Sequence, residues 1–423
     1  MLKLKKIESV LLFLILLFLP TQLGRHFWPQ FSYIYSLKID YLSPTLYFWD
    51  ILVVCLWIVW FLRKPKVNKL AFNIFLLFLF TQILSLLGSS NIGAGLIRIE
   101  QYIVAGSFGV YLASEKFKIQ SAKLYWPLLL GILGESLIAF LQFIKGQTLG
   151  LWILGERSFS ISTPGIAKFD FYGYEFLRPY ATFPHPNVLA GFMLVGICIM
   201  YQVLREKQRI VTLALVFGSI TIFLTMSRTV ILAAIITLFI LLRRKWMIVT
   251  TKSQALLIII ITIILFPILF TRFISLLNFD NLTLLRREEL AGSAWQMFVA
   301  SPVFGIGLNN FIPVVANQLV SGPSRFLQPV HNIFLLALSE TGILGLLGLL
   351  WLVAYPIVKL FRLNPKPYPL NLFLLSWLII LFLGMFDHYF LTLPQGYRLL
   401  FLIWGLSFSM LKYSGESHFE DHS

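Results

Sequence analysis

Ile210-Val-Thr-Leu-Ala-Leu-Val-Phe-Gly-Ser-Ile-Thr-Ile-Phe-Leu-Thr-Met-Ser-Arg228-Thr-Val-Ile-Leu-Ala-Ala-Ile-Ile-Thr-Leu-Phe-Ile-Leu-Leu242 is the stretch whose reading decides the fold. Residues 210–242 make roughly 50 Å of helix, too long for one crossing of a bilayer core about 30 Å thick and too short for two full ones. Arg205, Lys207 and Arg209 precede the stretch and Arg243, Arg244 and Lys245 follow it. Basic clusters mark cytoplasmic loops, so both ends lie on one side and the stretch is a hairpin of two short helices. Its tip is Ser227-Arg228. Each arm reaches only about 24 Å, which recesses Arg228 below the outer surface. An arginine there is costly unless it is paired or faces a polar cavity, so Arg228 reads either as a functional cation or as one that snorkels to the headgroups.

The rest of the 423-residue chain has the same character: 58% of it is hydrophobic and 12% charged, with a mean hydropathy of +0.84. That composition excludes a soluble globular protein. The apolar runs are mostly about 17 to 25 residues long, the length of helical spans rather than barrel strands. The expected fold is an all-α polytopic membrane protein with about twelve transmembrane helices, near 7–23, 45–62, 70–87, 96–114, 124–144, 187–204, 210–226, 229–242, 254–270, 332–358, 370–390 and 397–411. Basic clusters recur at every second connection, so the N- and C-termini are both expected to be cytoplasmic. They also account for the net charge of +16 without a nucleic-acid partner.

Residues 1–412 read as a single membrane-embedded domain and 413–423 as a polar, disordered tail that includes His418 and His422. Lys3, Lys5 and Lys6 before the first apolar run lack a small-x-small cleavage site, so an uncleaved span is expected. Cys55 and Cys198 both fall inside spans and suggest neither a disulfide framework nor a thiolate metal site.

Two long connections face outward, 145–186 and 271–331. The first ends in Arg178-Pro-Tyr-Ala-Thr-Phe-Pro-His-Pro-Asn187. Its prolines stiffen the chain, Asn187 is a natural N-cap for the next span, and Arg178 suits phosphate oxygens or a lipid headgroup. His185, between two prolines, reads as structural or catalytic.

In the second loop, Leu290, Ala291, Ala294, Trp295 and Phe298 recur at helical spacing, which predicts an amphipathic helix over 282–299 on the outer interface. Arg286 and Arg287 lie on its polar face, Ser301-Pro302 ends it, and Gly305-Ile-Gly307 allows a tight turn. The loop closes on His331-Asn332. Glu340 follows roughly 13 Å deeper on the next span. Asp387 and His388, at the outer end of the eleventh span, and Arg398, at the start of the twelfth, either line the same mouth or pair with one another. Arg98 and Glu100 read as a local pair.

Several arginines around one imidazole fit a substrate with two or more phosphates. No Asp-x-Asp, His-Glu-x-x-His, Walker, Gly-x-Ser-x-Gly or dinucleotide pattern is present, so neither a metal nor a cofactor is expected. Arg178-x3-Thr182-Phe-Pro-His-Pro-Asn187, Ser227-Arg228, Arg287-x2-Leu290-x3-Ala294, Pro302-Val-Phe-Gly-Ile-Gly-Leu308-x2-Phe311 and His331-Asn332-x-Phe334 through Glu340-x-Gly342-Ile-Leu-Gly345 together resemble the O-antigen ligase and polymerase family. The resemblance covers about residues 175–350.

It implies a metal-independent, inverting glycosyltransferase of the GT-C type in the cytoplasmic membrane, taking a glycan from undecaprenyl diphosphate at the outer face. Arg178 and Arg228, with Arg287 or Arg286, would hold the diphosphate, and His331 would activate an acceptor hydroxyl. The 271–331 loop would cover the cavity, with His185, Asn187, Asn332, Glu340, Asp387 and His388 in support. Ligation to a lipid, polymerisation of repeat units and transfer to protein share this donor chemistry. A lipid-linked glycan flippase or transporter would instead show an internal repeat and paired broken helices, which the sequence lacks.

Overall fold

The computed structural model describes residues 2–115, 122–204, 208–243, 282–318, 327–362 and 372–420. The expected span at 254–270 lies outside them, as do positions 271–281 and 319–326 of the long loop, Lys116, Lys118, Arg205, Lys207, Arg244, Lys245, Lys252, Lys366 and His422.

Every other apolar run is helical: α1 Leu2–Leu17, α2 Phe48–Leu62, α3 Lys69–Leu84, α4 Ile92–Ser114, α5 Ala122–Lys145, α6 Pro186–Leu204, α7 Gln208–Leu224 and α8 Arg228–Arg243. The chain continues with α9 Leu282–Ala300, α10 Phe311–Gln318, α11 Ile333–Arg362, α12 Leu372–Gly384, α13 Tyr389–Thr392 and α14 Pro394–Glu420. Three helices, Lys69–Gly88, Leu124–Lys145 and Ile333–Arg362, are long and apolar enough to cross a membrane by length and composition. Shorter apolar helices accompany them, including both arms of the hairpin around Ser227. That hairpin turns at Met226, whose φ of 49° is left-handed, and the Thr225 hydroxyl ties the end of α7 by donating to the Ile222 carbonyl at 2.6 Å.

Three boundaries differ from the sequence reading. The first span stops at Leu17 because Pro20 cannot continue the helix. The eleventh breaks at Gly384, and Asn332 Nδ2 donates to the freed Met385 carbonyl at 3.2 Å. The last helix runs on to Glu420, through residues expected to form a disordered tail.

The connections that the charge pattern assigns to the outside are bonded to one another. They include short antiparallel pairs: β1 Gly24–His26 with β4 Thr45–Tyr47, and β2 Tyr33–Ile34 with β3 Leu37–Lys38. A third pair, β5 Lys168–Phe171 with β6 Tyr174–Leu177, lies in the 145–186 loop. The Tyr35 hydroxyl donates to the Ala316 carbonyl, Asn309 Nδ2 to Tyr41 O, and the Asn91 amide to Asn310 Oδ1. At the opposite helix ends, Arg63 pairs with Glu8 and lies 3.7 Å from Glu115, Tyr111 donates to Glu8, and Trp60 Nε1 donates to Glu115. Between the two ends one apolar core joins Trp49, Trp60, Phe108, Trp377 and Trp404.

The feature that organises the loop-rich end is a break in α11. Gly342 has φ 62° and ψ −167°, a combination essentially restricted to glycine. A broken helix strands carbonyls before the break and amides after it. Here the Ile306 and Gly307 amides donate to the Ser339 and Glu340 carbonyls, at 3.0 and 2.9 Å. In return, the Ile343 and Leu344 amides donate to the Pro302 and Val303 carbonyls, at 2.9 and 3.4 Å. Gly305 and Gly307, both at positive φ, let the two backbones meet. A Cβ on Gly342 would strike the Val303 carbonyl, besides being strained. Gly342→Ala is therefore expected to destabilise the protein by at least ~2 kcal/mol. A detergent thermal-shift measurement checks this, with Gly134→Ala, where a Cβ meets nothing within 4 Å, as the neutral control.

Candidate active site

The tract 178–187 is held from beneath by two buried polar residues of α5. Glu135 accepts from the Thr182 amide at 3.0 Å and from its hydroxyl at 2.7 Å. Gln142 accepts from the Tyr180 and Ala181 amides and donates to the Ala181 carbonyl. These bonds satisfy a turn in which Ala181 has φ 50°. Neither residue was singled out from the sequence, although a polar pair seven residues apart on an otherwise apolar helix marks one buried face.

α6 then begins at Pro186, one residue earlier than the Asn187 cap expected from sequence. Proline suits the first helical position because its missing N–H would be unpaired there. The cap is His185, whose Nδ1 accepts from the Asn187 amide at 3.1 Å. An imidazole that caps a helix must be neutral, with its proton on Nε2. Burial and the Arg178 charge enforce this, pushing the His185 pKa down to about 3.

With the capping role taken, the Asn187 side chain bridges two charged residues. Its Oδ1 accepts from Arg178 at 2.8 Å and its Nδ2 donates to Asp387 Oδ2 at 3.2 Å. Arg178 Nε donates in turn to the Thr225 carbonyl at 2.6 Å, beside the hairpin tip.

On the other side of Asp387 lies the N-terminus of α11. Asn332 Oδ1 accepts from the Phe334 and Leu335 amides, both at 2.9 Å, and so caps this helix. His331, immediately before the cap, directs Nδ1 at the Pro329 carbonyl, 3.2 Å away. A carbonyl only accepts, so Nδ1 carries the proton and Nε2 keeps its lone pair. The His331 ring meets the His388 ring edge-on, 5.2 Å between centroids. His388 Nδ1 is 2.6 Å from the Thr392 hydroxyl, which is itself turned toward the His388 carbonyl. Burial pushes the His388 pKa down to about 3, against the pull of Asp387.

Asp387 accepts from the His388 amide at 2.9 Å. Burial opposes its ionisation, but the polar groups of His388, His331, His185 and Asn187 outweigh this and hold its pKa below the ordinary carboxylate value. Three imidazoles thus surround one carboxylate. His388 is buried, whereas His185 and His331 are both partly open to solvent, and of these two His185 has its Nδ1 lone pair committed to the Asn187 amide.

The arginines approach from the hairpin tip and from α9. Arg287 acts electrostatically on both His185 and Arg228, and its Nε is buried with no hydrogen-bond partner among the described residues. Arg286 lies about 100° further round the helix and is half-exposed. α9 extends over the expected residues and stops before Ser301-Pro302. Its buried face is Leu290, Ala294 and Met297, packed on Phe311, Val315 and Leu336. Trp295, expected on that face, is instead 54% exposed.

Glu340 belongs to the joint between loop and helix rather than to this cluster: its Oε1 accepts from the Phe311 amide at 3.1 Å. Two expected pairs do not form. Arg98 donates to the Thr392 carbonyl and to Asn309 Oδ1 while Glu100 is exposed, because the buried guanidinium finds partners across the fold. Arg398 lies between the Tyr47 and Trp49 rings and takes Asp50, 3.5 Å away, as its carboxylate partner in place of Asp387.

A run of contacts therefore links the hairpin tip, Arg178, Asn187, Asp387, His388 and His331. Among the described residues no group of three or more His, Cys, Asp or Glu side chains is arranged to hold a metal ion. Chemically, the cluster offers cations for an anion, one imidazole with an available lone pair and one carboxylate to compensate a proton taken up.

Residues 213–350, roughly a third of the chain, match the family model described as O-antigen ligase. The match takes in Arg228, Arg286, Arg287, His331, Asn332 and Glu340 and leaves Arg178, His185, Asn187, Asp387 and His388 outside it. A comparison with curated proteins returns no match.

The neutral caps carry a pH signature. A histidine whose folded pKa of about 3 lies below its ordinary 6.5 binds protons more readily when unfolded. It contributes full stability above pH ~6.5, and the contribution is lost as pH falls toward ~3. Melting temperature in detergent should therefore decline between pH 7 and 5. The decline should be shallower in His185→Asn, which keeps a capping group and removes the titration.

Proposed function

We propose that this chain, which carries an O-antigen ligase domain over residues 213–350, transfers a glycan from undecaprenyl diphosphate to a hydroxyl acceptor at the outer face of the cytoplasmic membrane. The observation that carries the reading is the asymmetry of the imidazoles. His331 is partly open and has an Nε2 lone pair to offer, whereas His185 spends its lone pair on the Asn187 amide and His388 is buried, and desolvation keeps both neighbours neutral.

In the proposed step His331 Nε2 removes the acceptor hydroxyl's proton as that oxygen bonds to the anomeric carbon. The bond from the anomeric carbon to the phosphate oxygen breaks, with inversion, and undecaprenyl diphosphate leaves with the electron pair. The imidazolium on His331 is compensated by Asp387, because neither His185 nor His388 competes for the proton. Arg178, Arg228 and Arg287 receive the diphosphate charge. This assignment favours Arg287 over Arg286 because the Arg287 charge acts on both His185 and Arg228. Asn187 and Asn332 act as positioning residues, orienting Arg178 with Asp387 and the start of α11 with His331, respectively.

Purified protein reconstituted with a diphospholipid-linked glycan and a panel of hydroxyl acceptors tests the reading. His331→Ala should lower transfer by a factor of ~10² to 10⁴ while melting like the wild type. Unchanged transfer would remove the proposed base, and glycan translocation without any product would favour a transporter. In the same assay Arg287→Ala should raise KM for the donor far more than Arg286→Ala, and transfer should survive a chelator.

A further inference from the structure

The β5–β6 hairpin is not used by the proposed reaction. Its strands join through Tyr172-Gly173, both at positive φ, and their register puts Phe169 opposite Phe176 and Phe171 opposite Tyr174 on one face. At the root this aromatic face is covered by Phe143 of α5, stacked 6.3 Å from Phe169 and 6.0 Å from Phe176. Toward the tip it is uncovered at Tyr174, 74% exposed, and the turn residue Tyr172 beyond it is 78% exposed.

α5 indicates the level at which this happens. Trp126, Leu130, Leu137, Phe140 and Ile144 form an exposed apolar stripe at helical spacing. From Trp126 to Ile144 it is roughly 27 Å long, close to the hydrocarbon thickness of about 30 Å. Lys145 ends it, so the hairpin rests on α5 where the hydrocarbon gives way to headgroups. Trp152, 75% exposed, lies nearby in the chain on a short turn whose preceding amides, Leu149 and Leu151, are bonded by Glu156. Tyrosine and tryptophan are the residues that settle at that boundary.

We infer that the 168–177 hairpin is an interfacial foot, its Tyr174 face and its Tyr172 tip lying in the headgroup layer of the bilayer. The opposite face is suited to water: Asp170 and Glu175 are directly opposed and exposed, with Lys168 Nζ bonded to Glu175 at 2.9 Å. Anionic headgroups would repel such a pair. A glycan is a poorer occupant, because the carboxylates that would bind its hydroxyls lie on the face away from the tyrosines.

The foot has a consequence for the site. Arg178 directly follows β6, and its amide donates to the Ala167 carbonyl at 3.1 Å, extending the ladder by one bond. Anchoring the hairpin therefore sets the depth of Arg178 near the phosphate layer, where a lipid diphosphate would present its charge.

Neighbouring residues of one strand make the test sharp. Tyr174→Cys and Glu175→Cys, each in a Cys55→Ala, Cys198→Ala background, are labelled with an environment-sensitive fluorophore and reconstituted into phosphatidylcholine–phosphatidylglycerol vesicles. Lipids carrying a nitroxide at the headgroup or shallow acyl level should quench the Tyr174→Cys probe several-fold more than the Glu175→Cys probe, and aqueous iodide should do the reverse. Equal quenching at the two positions would overturn the proposal. So would a Tyr174→Cys probe that ignores the nitroxide lipids and responds to a soluble oligosaccharide. The readout needs no glycan transfer, so it stands or falls independently of the reaction proposed above.

Discussion

The break in α11 at Gly342 is the constraint on which the rest of the loop-rich end depends. A helix interrupted inside an apolar bundle leaves amides and carbonyls that neither lipid nor packed side chains can satisfy. The segment from Pro302 to Gly307 supplies the missing partners from its own backbone, so loop and helix are fixed to each other by geometry rather than by side-chain choice. The result bears directly on the site. α9, with Arg287, ends just before this joint, and His331 stands at the start of the helix that contains it. Glu340 strengthens the joint by accepting from Phe311. Asn309 and Asn310 extend it to the Tyr41 carbonyl and to the connection before α4.

The second organising constraint is electrostatic. Asp387 is bonded by Asn187 and by the His388 amide, and three imidazoles compete for its charge. Burial decides the competition. His185 is committed to capping α6 and His388 to Thr392, and both are driven toward the neutral form. His331, whose Nε2 lone pair is committed neither to a helix cap nor to a hydroxyl, is therefore the proposed base among three chemically identical side chains, with its protonation compensated by the carboxylate. The same arrangement frees Asn187 from capping, and its side chain instead aligns a cation and an anion that would otherwise approach each other directly.

Much of this was legible in the sequence because it is local. Periodicity located α9 and nearly every apolar helix, and Pro302 and Gly305 correctly marked where α9 must end and the chain must turn. The length of 210–242 together with its flanking charges gave the short hairpin. What stayed hidden is non-local. Arg98 takes partners from Thr392 and Asn309, Arg398 from Asp50, and the 178–187 tract from Glu135 and Gln142. No spacing rule connects residues separated by tens to hundreds of positions. The capping of α6 was misassigned for a different reason: Asn is the commoner cap, but Pro186 at the first helical position moves the cap back to His185.

The central claim is that a lipid diphosphate is held between Arg178, Arg228 and Arg287 with its anomeric carbon beside His331 Nε2. A cryo-EM map of the protein in nanodiscs with a non-transferable undecaprenyl diphosphate glycan analogue tests it most directly. The account predicts diphosphate density within hydrogen-bonding distance of these arginines and the first sugar next to His331. Diphosphate density elsewhere, or a sugar lying away from His331, would contradict it.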